Sequence, residues 1–118
     1  MNKNLEEKIF QMHAEVCKSM ANPTRLKIMN LLREGEKSVE ELKRRLGLNK
    51  ANLSQHLAVL RQRKIVTARK VGLNVYYSVA NPKMIKACDI LREVLFEQIQ
   101  KDERLIRGIK KGNKCSID

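Results

Sequence analysis

The chain has 118 residues, with 25 Lys or Arg against 13 Asp or Glu and a formal net charge of +12. That length holds one hydrophobic core and is too short for two. Two Pro, five Gly, no Trp and only four aromatic residues (Phe10, Phe96, Tyr76, Tyr77) exclude a disordered chain and an all-β fold, and leave Leu, Ile, Val, Met and Ala to build a core that suits helices.

Leu5, Ile9, Met12, Val16 and Met20 recur at steps of three and four, which predicts an amphipathic helix over residues 5–20. Asn22 followed by Pro23 is a helix start, an N-cap and then a proline at the first helical position. This second helix runs through Leu26, Met29 and Leu32 and stops near Gly35. Ser38-Val39-Glu40-Glu41 has the form of a capping box. It opens a brief third helix with Leu42 and Leu46 inward, which Gly47 ends. Asn49 caps a fourth helix whose buried stripe is Leu53, Leu57 and Leu60. The period then changes. Residues 65–71 and 75–79 are rich in β-branched and aromatic side chains, and Gly72-Leu73-Asn74 separates them, a hairpin pattern. Asn81-Pro82 starts a long apolar helix through Met84, Ile85, Cys88, Leu91, Leu95 and Ile99, decaying through Leu105 and Ile109. Residues 1–112 are expected to form one domain and 113–118 a flexible tail.

Charge is zoned along this plan. Residues 42–88 hold 11 Lys or Arg and no Asp or Glu, whereas the other 71 residues carry 14 bases and 13 acids. A surface cleared of acids attracts a polyanion at distances where a mixed surface does not, and phosphate-backbone binding depends on that attraction. Inside the zone, the two short helices joined at Gly47-Leu48-Asn49 make a helix-turn-helix, whose second helix enters the DNA major groove leading with its N-terminal residues. With Leu53, Leu57 and Leu60 inward, Ala51, Gln55, Ala58 and Gln62 lie on the opposite face and Asn52, Ser54 and Val59 flank it. Ala permits close approach, and Gln and Asn pair bidentately with adenine. Gln55, Ser54 and Asn52 are therefore the candidate base readers. Lys50, with Arg61, Arg63 and Lys64 at the far end and Lys43, Arg44 and Arg45 on the preceding helix, would grip the backbone, and Asn49 and Gln62 are further candidate DNA contacts. The hairpin, with Arg69, Lys70 and Asn74 near its tip, would be a wing. The fold class so predicted is mainly α with a β-hairpin wing. An ordinary polar face, basic only for solubility, is the competing reading.

A resemblance then stands out. Ala21-Asn22-Pro23-Thr24-Arg25-Leu26-Lys27-Ile28 resembles the A-x-P-x-R-L-x-I signature of the ArsR/SmtB family of bacterial and archaeal repressors. Leu53-Ser54-Gln55-His56-Leu57-Ala58-Val59-Leu60-Arg61 is similar to that family's S-x-H-L-x-x-L recognition-helix core, and Val75-Tyr76-Tyr77-Ser78-Val79 to the end of its wing. The resemblance spans about residues 10–100. It implies a winged helix-turn-helix homodimer joined through the first and last helices, bound to a palindromic double-stranded DNA operator and released by an inducer. Ten apolar residues among 84–99, too many for one amphipathic face on a small domain, support the dimer independently.

What the inducer would act on is less legible. The third helix lacks the thiol pair, and the last helix the Asp/His set, that the resemblance would supply for a metal. Three cysteines, Cys17, Cys88 and Cys115, are an odd number with no C-x-x-C pair, which excludes a disulfide framework and a structural zinc module. Cys17 and Cys88 belong to the two helices that the resemblance places in the dimer. Three readings stay open: simple burial, a thiol switch, or, with His13, a soft-metal or arsenite site. His56, beside the buried stripe, is expected to be a packed, hydrogen-bonded histidine. No apolar run reaches the length of a signal or membrane segment, so a cytoplasmic protein is expected. Two histidines on separate helices, scattered thiols and no phosphate loop assemble no nucleophile–base pair, so an enzyme is not expected. A ligand-independent winged-helix DNA-binding protein and a pure protein-interaction module are the remaining alternatives.

Overall fold

In a computed structural model, which describes residues 2–110, the chain runs α1 (Lys3–Met20), α2 (Pro23–Leu32), β1 (Lys37–Ser38), α3 (Val39–Leu46), α4 (Lys50–Gln62), β2 (Val66–Val71), β3 (Asn74–Val79) and α5 (Lys83–Lys110). It groups into two compact units, Met1–Ile85 and Lys86–Asp118. The expected tail at 113–118 with Cys115, and the side chains of Leu105 and Ile109, lie outside the described part.

Local chemistry sets the helix boundaries. Asn22 Oδ1 accepts from the Thr24 and Arg25 amides at 2.9 and 3.1 Å, and Pro23 occupies the first helical position of α2, where its missing N–H costs nothing. Ser38 Oγ accepts from the Glu41 amide at 3.1 Å, and Asn49 Oδ1 from the Asn52 amide at 2.8 Å. Between these caps Gly47 takes a left-handed φ of 65°, and the Leu48 amide folds back onto the Lys43 carbonyl at 3.2 Å. That compact turn sets α4 across α3. At the far end of α4, Ile65 N–H bonds the Leu60 carbonyl and Lys64 N–H the Arg61 carbonyl, both at 2.9 Å. This is a Schellman closure whose left-handed position, usually glycine, is here Lys64 at φ 59°.

The core of the first unit is Ile28, Met29, Leu32, Leu42, Leu53, Leu57, Leu60, Ile65 and Val66, each at most 3% exposed, with Met20 from the end of α1. The stripe predicted for α4 is therefore its buried face. The apolar row of α1 is exposed in the single chain, with Leu5, Ile9 and Met12 at 50%, 45% and 61%, and only the C-terminal end of that helix reaches the core. In the second unit Ile90, Leu91, Val94, Leu95, Phe96 and Ile99 are likewise exposed.

The hairpin pairs Val66 with Val79 through Val71 with Asn74. Its loop is thus the two residues Gly72 and Leu73, and Asn74 belongs to the strand. Gly72 has φ 61° and Leu73 a negative φ, the arrangement of a type II′ turn, whose twist matches the flanking strands. The sheet has a third strand that no sequence pattern marks. Lys37 and Ser38 pair antiparallel with Tyr77 and Tyr76, giving a three-stranded sheet of order β1-β3-β2. Two residues are too few to show a period of two, so nothing but tertiary pairing marks them as a strand. Among the described residues no helix is long and apolar enough to cross a membrane.

Candidate nucleic-acid interface

The outer face of α4 carries the predicted residues together. Lys50, Ala51, Asn52, Ser54, Gln55, Ala58, Arg61 and Gln62 are exposed, while Leu53, Leu57 and Leu60 anchor the helix from below. No described acid lies in ion-pair range of Lys50 or Arg61, nor of Arg44 or Lys70. A cleft of about 170 Å³ runs between the start of α4, the start of α3 and the hairpin, lined by Lys50, Ser54, Ser38, Glu40, Asn74, Val75 and Tyr77. The N-terminal half of α4 is thereby presented at the edge of a shallow, partly basic groove, with the hairpin as its other wall. Asn49 stands at the same end, but its carbonyl oxygen is occupied by the cap.

The remaining predicted cations have partners that the sequence hid. Residues 42–88 contain no acid, yet the fold brings Glu34, Glu36, Glu40 and Glu41 back against them. Arg45 lies 3.5 Å from Glu34 and 3.6 Å from Glu41. The same two acids neutralise the buried Lys37, at 3.2 and 3.8 Å, which a buried ammonium requires. Lys37 and then Arg45 hold the Glu34 carboxyl below the ordinary range. Lys43 lies 3.7 Å from Glu40. Arg69 is gripped by both oxygens of Glu36, at 2.6 and 3.0 Å, and stacks over the Tyr76 ring at 5.4 Å. Its bond with Glu36 raises the Arg69 guanidinium above its ordinary value and holds the Glu36 carboxyl below its own. An acid-free stretch of sequence is thus not an acid-free surface.

Two polar ties fasten α1 and α2 to the recognition helix. Arg25 Nε donates to His56 Nδ1 at 3.1 Å, while its Nη1 donates to the Ser19 carbonyl at 3.2 Å. A guanidinium has no lone pair to offer, so His56 must accept at Nδ1 and carry its proton on Nε2. His56 is therefore a half-buried structural link between α2 and α4. Farther along, Arg63 Nη2 donates to Glu15 Oε2 at 2.9 Å. Between the α1 ends of these ties stands Cys17, exposed in the single chain on a helix whose buried residues are Ser19 and Met20. Cys88 is half-buried in α5. Among the described residues no three of His, Cys, Asp and Glu gather as a metal set.

A helix-turn-helix followed by a hairpin, with polar and small residues along the exposed second helix, defines a winged helix-turn-helix domain. A model of bacterial regulatory proteins of the ArsR family matches residues 22–68, which run from the Asn22 cap into the first wing strand. The HTH-type transcriptional regulator Rv0081 of Mycobacterium tuberculosis is 33% identical over 111 residues, 93% of this chain and 97% of that protein. Its crystal structure superposes with a TM-score of 0.73 over 80% of this chain and 95% of that one, at 37% identity. The transcriptional activator HlyU of Vibrio cholerae is 36% identical over 94 residues, 80% of this chain and 87% of that protein. The homodimeric winged helix-turn-helix DNA-binding domain of Mb0332 from Mycobacterium bovis gives a TM-score of 0.77 at 28% identity, over 85% of this chain and 93% of that one. The chain belongs to the ArsR/SmtB family. It is a DNA-binding transcriptional regulator.

Proposed function

We propose that the chain represses transcription as a homodimer on a palindromic operator, with one α4 in each of two successive major grooves. The observation that carries this reading is the exposed row Asn52, Ser54, Gln55 on α4 beside the uncompensated Lys50. In that pose Gln55, Asn52 and Ser54 read base edges, while Lys50, Arg44 and Lys70 contact phosphates. Asn49, Lys43, Arg45, Gln62 and Asn74 shape the same surface, Lys43 and Arg45 while ion-paired, whereas Arg69 is taken up by Glu36. The exposed apolar rows of α1 and α5, and the homodimeric state named for Mb0332, support pairing with a second copy through the first and last helices. Twofold symmetry then sets the recognition helices one DNA turn, about 34–36 Å, apart. Such a regulator works where the DNA is, in the cytoplasm.

Release is proposed to act through thiols. The exposed Cys17 supports this reading: a thiol that solvent reaches, set between the two ties to α4, is placed to respond to an oxidant or reactive sulfur species. The test is operator binding by wild type and by Cys17→Ser and Cys88→Ser, with reductant, persulfide, arsenite and divalent metals added in turn. Release of wild type by persulfide and not of the serine variants is expected; indifference of all three to every addition would remove the thiol reading. In vitro transcription with and without the protein decides between repression and activation, with reduced transcript expected.

A further inference from the structure

The wing holds one cation forward and one back. Along paired strands successive side chains alternate faces, so Arg69 and Lys70 point to opposite sides of the hairpin. Lys70 is opposite Val75 and shares the face of Tyr77, which is opposite Ala68. Val66 is on that face too and is buried in the core with Leu53, Leu57 and Leu60 of α4, so Lys70 is on the recognition-helix side. Arg69 is opposite Tyr76, and Tyr76 is opposite Ser38 on its other side. Glu36, two residues before Ser38, falls on that same outer face. Its carboxylate takes Arg69 bidentately, at 2.6 and 3.0 Å, across the Tyr76 ring. The guanidinium is thus fixed on Glu36 beside the β1 edge, although 60% of its side chain stays exposed.

We propose that Glu36 is a restraint on DNA binding: it holds Arg69 out of the duplex contact, so that each wing engages phosphate with Lys70 alone and nonspecific affinity is kept low. Arg69 is in this sense a reserve cation and Glu36 a positioning residue. Fork-to-fork guanidinium–carboxylate geometry suits such a restraint, because it fixes direction as well as distance. The inference rests on the DNA-facing reading of the hairpin.

A double-mutant cycle tests it on a mixed-sequence duplex, by fluorescence anisotropy at KCl between about 50 and 200 mM, the range over which phosphate contacts are most visible. Wild type, Glu36→Gln, Arg69→Gln and the double variant are compared, with thermal melts confirming that each is folded. Glu36→Gln is expected to bind several-fold more tightly at the low-salt end. Its plot of log K against log salt should steepen by about 0.9 per released arginine. Arg69→Gln alone should leave the wild-type slope unchanged, yet in the Glu36→Gln background it should restore it. A purely long-range charge effect would give Arg69→Gln the same loss in both backgrounds, and that result overturns the restraint. So does a flatter slope for Arg69→Gln alone, which would place Arg69 on DNA already. Failure of wild type and all variants to bind any duplex would overturn the DNA-facing reading itself, and the restraint with it; binding with no coupling between the two positions overturns the restraint only.

Discussion

At the residue scale, Gln55 and His56 are neighbours in sequence with opposite fates. Gln55 is exposed on α4 and His56 is turned inward to accept from Arg25. Gln55→Ala is expected to weaken binding to the operator by about 1–3 kcal/mol, the discrimination of one bidentate base contact, and to leave binding to random DNA nearly unchanged. Equal losses on both duplexes in a titration would mean that Gln55 reads no base. His56→Leu keeps an apolar body but strands the Arg25 guanidinium, and is expected to destabilise the fold by about 1–3 kcal/mol, read as a lower midpoint in urea. The Glu36–Arg69 tie gives a pH signature. Arg69 holds the Glu36 carboxyl below its ordinary value in the folded protein. Its contribution is therefore fully present above the unfolded-state pKa and is lost as pH falls through the depressed folded value. Arg69 Nε resonances followed by NMR should keep their neutral-pH positions down to the ordinary glutamate range and shift only below it. A midpoint at or above that range would contradict the tie.

At the element scale, α4 is bracketed by two left-handed turns that use different residues. Gly47 at φ 65° ends α3, and Lys64 at φ 59° follows α4. A Cβ at Gly47 would meet nothing within 4 Å, so Gly47→Ala isolates the backbone cost, about 1–2 kcal/mol of lost stability. Lys64→Gly should act in the opposite direction, gaining roughly 1 kcal/mol by removing the same strain. Thermal melts of the two variants check the pair, and a loss in both would show that the Lys64 side chain contributes more than its backbone costs. Only one end of the recognition helix is legible in the sequence. The Asn49 cap and Gly47 stop announce one end because side-chain chemistry marks them. Lys64 gives no signal, since lysine is chosen there by no local propensity and only the 2.9 Å closure from Ile65 to Leu60 reveals the turn.

At the scale of the whole molecule, the proposed dimer accounts for the apolar rows left exposed on α1 and α5. Leu95→Glu is expected to shift sedimentation from dimer to monomer and to lose operator binding far more than the change of one charge would; a dimer that survives it would exclude α5 as the interface. What the sequence determined by itself was everything that depends on local chemistry: the caps, the period of the core stripe on α4, the hairpin, and hence the winged helix-turn-helix and its reading face. What only the tertiary structure decided was which charges are available. Glu34, Glu36, Glu40 and Glu41 precede the acid-free stretch by a few residues along the chain, but β1 pairs with β3 and carries Glu36 across the sheet to Arg69. Glu34 and Glu41 close on Arg45 in the same region. Coulomb attraction acts through distance in space and is blind to distance along the chain, so the sum of charge in residues 42–88 was a sequence property, and its distribution between groove and restraint was not.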